Sequence, residues 1–140
     1  MLRQNGMSLI EVIVVVAVFF MLAAVAVPRF VFLAQSARVD TVRLLADDLR
    51  AAADATYRVW DTAGRPETLA MRGEVLALTN GYPSVDDIAT LAVDGADFDF
   101  ERGVFHYVDG ERRVEGCRVV YEPPDYAGER ARVSAVVDGC

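Results

Sequence analysis

The stretch of sequence that decides the fold is residues 6–28, which read GMSLIEVIVVVAVFFMLAAVAVP. No charged residue occurs from Val12 to Pro28, and the 16 residues from Val12 to Val27 would span about 24 Å as a helix. The residues from Met7 to Ile10 extend this run toward the roughly 30 Å thickness of a membrane's hydrocarbon core. The stretch therefore predicts a helix that can cross a membrane.

Three interpretations of this N-terminus compete. In the first it is a secretory signal peptide, with Arg3 as its basic residue and Ala24-Val25-Ala26 as its cleavage site. In the second it is a plain membrane anchor, and in the third it is a short leader followed by a functional helix. Glu11 separates them, because a carboxylate near the start of such a run costs on the order of 1–3 kcal/mol, depending on depth. Neither a signal peptide nor a simple anchor has a use for it.

The residues Gly6-Met7-Ser8-Leu9-Ile10-Glu11-Val12 resemble the prepilin peptidase motif of type IV pilins and type II secretion pseudopilins. The resemblance implies that residues 1–6 are a leader peptide, cut between Gly6 and Met7, and that Met7 is then N-methylated. Counted from Met7, Glu11 is the fifth residue, which serves filament assembly in this family. Pro28 becomes residue 22, where type IVa pilins also tend to carry a proline, and a helix kink is expected there.

The chain after the leader divides by pattern into three segments. Residues 7–28 are predicted to form a hydrophobic helix for the membrane and the filament core, and residues 29–63 an amphipathic continuation closed by Gly64 and Pro66. Residues 64–140 are predicted to form a β-rich head. The apolar face of the amphipathic part recurs at three- and four-residue spacing at Val39, Val42, Leu45, Leu49, Ala52, Ala53, Thr56 and Trp60.

The C-terminal half has the pattern of short strands. They are predicted at 74–78, 96–100, 104–108, 117–121 and 132–137. Asp109-Gly110 favours a hairpin turn, and Ser84-Val85-Asp86-Asp87-Ile88 is typical of a capped start of a short helix. The predicted fold class is α+β: a long, kinked N-terminal helix packed on a small antiparallel sheet, as in pilins.

Cys117 and Cys140 are the two cysteines of the chain. An even count in a chain that carries an export signal favours one disulfide between them. The pair also belongs to a finer resemblance, to the mannose-sensitive haemagglutinin (MSHA) pilin group. That resemblance further rests on Pro28-Arg29-Phe30, Gln35-Ser36-Ala37-Arg38 and Asn80-Gly81-Tyr82-Pro83.

Two functions stay open at this point. The MSHA resemblance implies a pilus subunit for adhesion, attachment or motility, and the alternative is a pseudopilin of a periplasmic pseudopilus that drives protein export. Either implies other copies of the chain, the prepilin peptidase/N-methyltransferase and inner-membrane assembly machinery as partners. The subunit is expected to cross the inner membrane once, with its head in the periplasm, and a pilus would then be extracellular.

Composition argues against several other functions. A net charge of −7 disfavours nucleic-acid binding, which needs a basic face. With His106 as the single histidine, no histidine-based triad or histidine-rich metal site is expected, so neither catalytic residues nor cofactors are predicted. Calcium takes several oxygen ligands, but turns and caps account for the acids Asp86, Asp87, Asp94, Asp97, Asp99 and Asp109, so no calcium site is predicted.

Overall fold

The computed structural model describes residues 8–92 and 95–140. Helix α1 (Leu9–Thr62) comes first, and a single 3-10 turn (Ile88–Leu91) lies among the strands that follow. These are β1 (Thr68–Met71), β2 (Glu74–Thr79), β3 (Tyr82–Pro83), β4 (Phe98–Glu101), β5 (Val104–Asp109), β6 (Arg112–Glu122) and β7 (Arg132–Val136). The chain has two compact units, whose boundary falls within α1 between Ser36 and Ala37. We call residues 8–36 the stem and residues 37–140 the head.

The strands of the head form two antiparallel sheets, in the orders β1-β2-β3 and β4-β5-β6-β7. The predicted α+β class is confirmed, but the single sheet of the prediction is in fact two. Within each sheet, every strand pairs with the strand next to it in sequence, so both sheets are simple meanders. Strands β1 and β3 were not predicted, and β4 begins at Phe98 rather than at Ala96.

Four tight loops of two residues connect the paired strands. Three of them, Arg72-Gly73, Asn80-Gly81 and Arg102-Gly103, have positive φ at both residues, which is the geometry of a type I′ turn. The loop that follows Asp109 begins with Gly110 at φ 67°, as a type II′ turn requires. Gly81 has a second constraint, because a Cβ there would lie 2.4 Å from the ring of Trp60. The β2–β3 turn is therefore packed directly against the end of α1.

The core of the head forms where one face of α1 meets the sheets. The residues of α1 that are buried are Val42, Leu45, Ala46, Leu49, Ala53 and Thr56. They pack with Tyr82, Ile88, Phe105, Cys117, Val119, Tyr121 and Val133 in one cluster. The spacing predicted this face, although it missed Ala46, and Val39, Ala52 and Trp60 are only partly buried. Burial of this apolar stripe stabilises the second half of the helix, because packing contributes more than helix propensity.

A buried hydrogen bond joins the two sheets. The hydroxyl of Tyr121 on β6 donates to the carbonyl oxygen of Pro83 on β3 over 2.7 Å. Burial raises the pKa of Tyr121, and Tyr82 raises it to a lesser extent. The Tyr121 hydroxyl therefore stays protonated and can donate. Nearby, the side-chain amide of Asn80 donates to the carbonyl of Pro124 over 2.9 Å. These bonds fix the small sheet to the large one.

The predicted capped helix after Ser84 is shorter than a full α-helix. The Ser84 hydroxyl accepts a hydrogen bond from the N–H of Asp87 at 3.2 Å, as a cap should. The Asp87 carboxylate does not reach back, however, and accepts the N–H of Ala77 on β2 at 2.7 Å instead. The Asp87 side chain thus holds β2 rather than capping a helix, and the helical segment that follows is the 3-10 turn at Ile88–Leu91.

Removing the Tyr121 hydroxyl tests the link between the sheets. Tyr121→Phe leaves the buried Pro83 carbonyl without its donor, so we expect the free energy of unfolding to fall by about 1–3 kcal/mol. The measurement is urea unfolding of the full chain in detergent micelles, followed by the fluorescence of Trp60, the single tryptophan. Tyr126→Phe is the control, since Tyr126 is 72% exposed and should change stability by less than about 0.5 kcal/mol. Equal stability of the two variants would contradict the assignment.

Candidate functional site

The first turn of α1 places a carboxylate at the N-terminal end of the stem. The carbonyl of Ser8 accepts the N–H groups of Glu11 at 3.0 Å and Val12 at 3.2 Å, so Ser8 is the N-cap and Glu11 lies in the first turn. The positive end of the helix dipole favours a carboxylate at this position. Ser8 and Glu11 also have the spacing of a capping box. The helix dipole and this spacing both suit a carboxylate at the start of α1.

The rest of the stem presents apolar side chains on every side of the helix. No residue of its most apolar 18-residue window is buried, and within the described residues α1 alone is long and apolar enough to cross a membrane. The large exposed side chains include Val12, Ile13, Phe19, Phe20, Met21, Leu22, Val25, Phe30 and Phe32. Each such side chain gains about 1.5–3 kcal/mol when it is fully removed from water. A surface of this kind requires lipid or other protein around it.

Pro28 lies inside α1, and the helix continues past it to Thr62. Proline has no N–H, so the carbonyl of Ala24, four residues earlier, loses its usual helical donor. The continuation of the helix beyond the proline is as predicted from the sequence. The kink at Pro28 stays a prediction, as do the cleavage and methylation at Gly6 and Met7, which lie outside the described residues.

The disulfide joins Cys117 on β6 to Cys140, with 4.8 Å between the Cα atoms. Two glycines bring the chain end close to β6. The N–H of Gly139 donates to the carbonyl of Gly116 at 2.9 Å, and a Cβ on Gly139 would lie 1.8 Å from the carbonyl oxygen of Glu115. Any side chain at Gly139 would thus push the backbone away from β6. The resulting covalent loop encloses β7 and the segment between β6 and β7.

Several acidic side chains of the head form ion pairs with arginines. Asp99 and Glu101 on β4 both accept from Arg113 on β6, at 2.6 and 2.9 Å, and Asp109 binds Arg38 of α1. Residues 8–92 and 95–140 contain no group of three or more histidine, cysteine or acidic side chains that could hold a metal ion. Asp94, one of the acids weighed for calcium, lies outside the described residues.

His106 sits on β5, opposite Asp99 on β4 and Arg118 on β6. Burial lowers the pKa of His106, and the cations Arg113 and Arg118 lower it further. His106 is therefore a neutral residue of the sheet, with charged side chains opposite it on both neighbouring strands. Its nearest cross-strand neighbours, Asp99 and Arg118, are residues of the same sheet.

One comparison with known proteins gave a match. Residues 1–27 match the family described as "Prokaryotic N-terminal methylation motif". No curated protein and no solved structure matches the chain. The motif supports a type IV pilin or pseudopilin and points to a structural subunit rather than an enzyme. It covers the leader and the apolar part of the stem, the segment in which Glu11 stands.

Replacing both cysteines tests the disulfide. We expect the double variant Cys117→Ala, Cys140→Ala to lose about 3–4 kcal/mol of unfolding free energy, because the open loop raises the entropy of the unfolded chain. The separation of 23 residues sets this magnitude. Unfolding in urea, monitored by Trp60 fluorescence, measures it. Non-reducing peptide mapping of the unaltered protein should find both cysteines in one linked peptide, and two free thiols would contradict the disulfide.

Proposed function

We propose that the chain is the precursor of a structural subunit of a type IV pilus, similar to the MSHA pilins. In this proposal a prepilin peptidase removes residues 1–6 and N-methylates Met7. The subunit then rests in the inner membrane through residues 7–28, with its head in the periplasm, until it joins a helical filament. The observation that carries the proposal is a single carboxylate, Glu11, in the first turn of α1, directly before an apolar, exposed run within the residues that match the methylation motif.

The role proposed for Glu11 is a charge pair in the filament. Cleavage after Gly6 would create a cationic amine on Met7, and the amine of a neighbouring subunit could pair with the Glu11 carboxylate. Opposite charges attract far more strongly in a dry interior than in water, which offsets part of their desolvation. Because the pair forms at only one axial offset between two stems, it sets the register of the filament.

The apolar surface of the stem would pack against the stems of other subunits in the filament. In the membrane, lipid covers the exposed side chains, and in the filament other stems replace the lipid. Because lipid tails are as apolar as these side chains, close packing and the charge pair, rather than removal from water, would drive the exchange. Residues 29–63, which cross from the stem into the head, would carry the amphipathic face that packs on the sheets. No further cofactor or metal is needed for this function.

A pseudopilin is the second candidate, because the methylation motif supports both classes. The feature that favours a pilin is the disulfide between Cys117 and Cys140, since it closes the C-terminal segment of the head. Immunogold microscopy of the native host separates the two. Filaments that extend from the cell surface and are removed by shearing support a pilus, whereas label confined to the periplasm supports a pseudopilus.

Processing is the first testable step. We expect a mature chain that begins at N-methylated Met7, and intact-mass and N-terminal analysis of the membrane fraction measures it. Gly6→Ala should block cleavage, leaving uncut precursor in the membrane. A mature chain that begins at Val27 would mean that the Ala24-Val25-Ala26 site is used, and this would contradict the pilin proposal.

Substitution of Glu11 tests the charge pair. We expect Glu11→Ala to be processed and inserted normally but to form few or no filaments, because the buried amine loses its partner. Removing one partner of a buried pair is typically worth about 3–5 kcal/mol, and the lower end of that range shifts each assembly step by about a hundredfold. Sheared filaments are counted by microscopy, and membrane levels are compared by immunoblot.

Glu11→Gln separates the charge from the capping role. Glutamine can also complete a capping box, so this variant keeps the helix start while removing the charge. The charge-pair proposal expects Glu11→Gln to lose filaments as Glu11→Ala does. If Glu11→Gln assembles normally and only Glu11→Ala fails, the capping role is sufficient; if both assemble normally, Glu11 has no role in assembly.

A further inference from the structure

We propose that the guanidinium of Arg29 binds the phosphate of a phospholipid headgroup while the subunit is in the membrane, and so fixes the depth of the stem. This inference rests on the membrane stage of the proposed function. Arg29 follows Pro28 directly, at the end of the uncharged run. Its side chain is exposed, and among the ion pairs of the described residues none involves it.

The length of the stem puts Arg29 at a membrane surface. Leu9 and Arg29 are 20 residues apart in α1, which corresponds to about 30 Å along the helix. The hydrocarbon core of a bilayer is also about 30 Å thick. When the start of α1 lies at one surface of the core, Arg29 therefore lies at the other, at the level of the headgroup phosphates.

The apolar residues that follow Arg29 in the chain limit the depth at which the stem can lie in the bilayer. Phe30 and Phe32 are 78% and 70% exposed, and Val31 and Leu33 are exposed as well. Leu9 to Leu33 measures about 36 Å, so with Arg29 at one surface of the roughly 30 Å hydrocarbon core the residues up to Leu33 lie in the adjoining interfacial region. A deeper position would draw the guanidinium into hydrocarbon, whereas a shallower one would leave Phe30 and Phe32 in water. The depth is thus bounded in both directions.

The chemistry of arginine selects a phosphate at this depth. The aliphatic part of the side chain can lie along apolar surface while the guanidinium reaches outward. Its planar fork of donors then matches two phosphate oxygens, which a lysine ammonium would contact as a point charge. Within the stem the single carboxylate, Glu11, is 18 residues or about 27 Å away along the helix, too far to pair with Arg29.

Solid-state NMR of the full chain in bilayers tests the contact. The chain carries arginine labelled with ¹³C at Cζ and is reconstituted at low density in vesicles of phosphatidylethanolamine and phosphatidylglycerol. In a chain whose Arg3, before the apolar run, is replaced by Gln, we expect part of the arginine signal to be dephased by lipid ³¹P. We expect Arg29→Gln in that background to lose that part entirely. Arg29→Lys should lose it too, while keeping the positive charge. Arg43→Gln, which removes another exposed arginine of α1, should leave the dephased signal unchanged.

Flotation of the vesicles on a density gradient separates this inference from the proposed function. A chain that does not float with the vesicles has not entered the bilayer, and then the membrane stage itself is wrong. A floating chain whose dephased signal survives Arg29→Gln overturns the role of Arg29 alone. A floating chain with no dephased arginine at all also overturns it, and then points to a carboxylate of a second copy as the partner.

Discussion

The apolar surface of the stem is the constraint on which the rest of the molecule depends. Side chains such as Phe19, Phe20 and Leu22 are exposed around the apolar part of α1, none of which is buried within the described residues. Water is an unfavourable environment for such a surface, because every large apolar side chain gains about 1.5–3 kcal/mol on leaving it. The stem therefore requires lipid or other protein around it. In the proposed function it uses the first before assembly and the second after it.

The apolar core of the head is buried within the head itself. The second half of α1 covers one face of the sheets, and the Tyr121–Pro83 hydrogen bond and the disulfide join parts that are distant in sequence. The head also carries most of the charge, with 12 arginines and 20 acidic residues between Ala37 and Cys140. Like-charged heads repel one another, an effect that salt screens over about 8–10 Å. In the proposed filament, association of the stems has to exceed this repulsion.

Two charges bound the apolar part of the stem, and they suit different environments. Glu11 in the first turn is favoured by the helix dipole and is proposed to pair with an amine inside the filament. Arg29 follows the apolar run at a distance that matches the thickness of a bilayer, and is proposed to bind a phosphate before assembly. Both positions follow from the cost of a charge in hydrocarbon, which makes the ends of the run the least expensive places for one.

The sequence alone determined the helix, its apolar and amphipathic halves, the buried positions Val42, Leu45 and Leu49, and the pairing of the cysteines. These follow from local periodicity, from the length of an uncharged run and from an even cysteine count in a chain with an export signal. Only the tertiary structure decided that the strands form two sheets, that Asp87 holds β2 rather than capping a helix, and that Gly139 must lack a side chain beside Glu115. Strands as short as β1 and β3 have too few residues to show an alternating pattern of apolar and polar side chains. Pairing and packing with distant parts of the chain stabilise them instead.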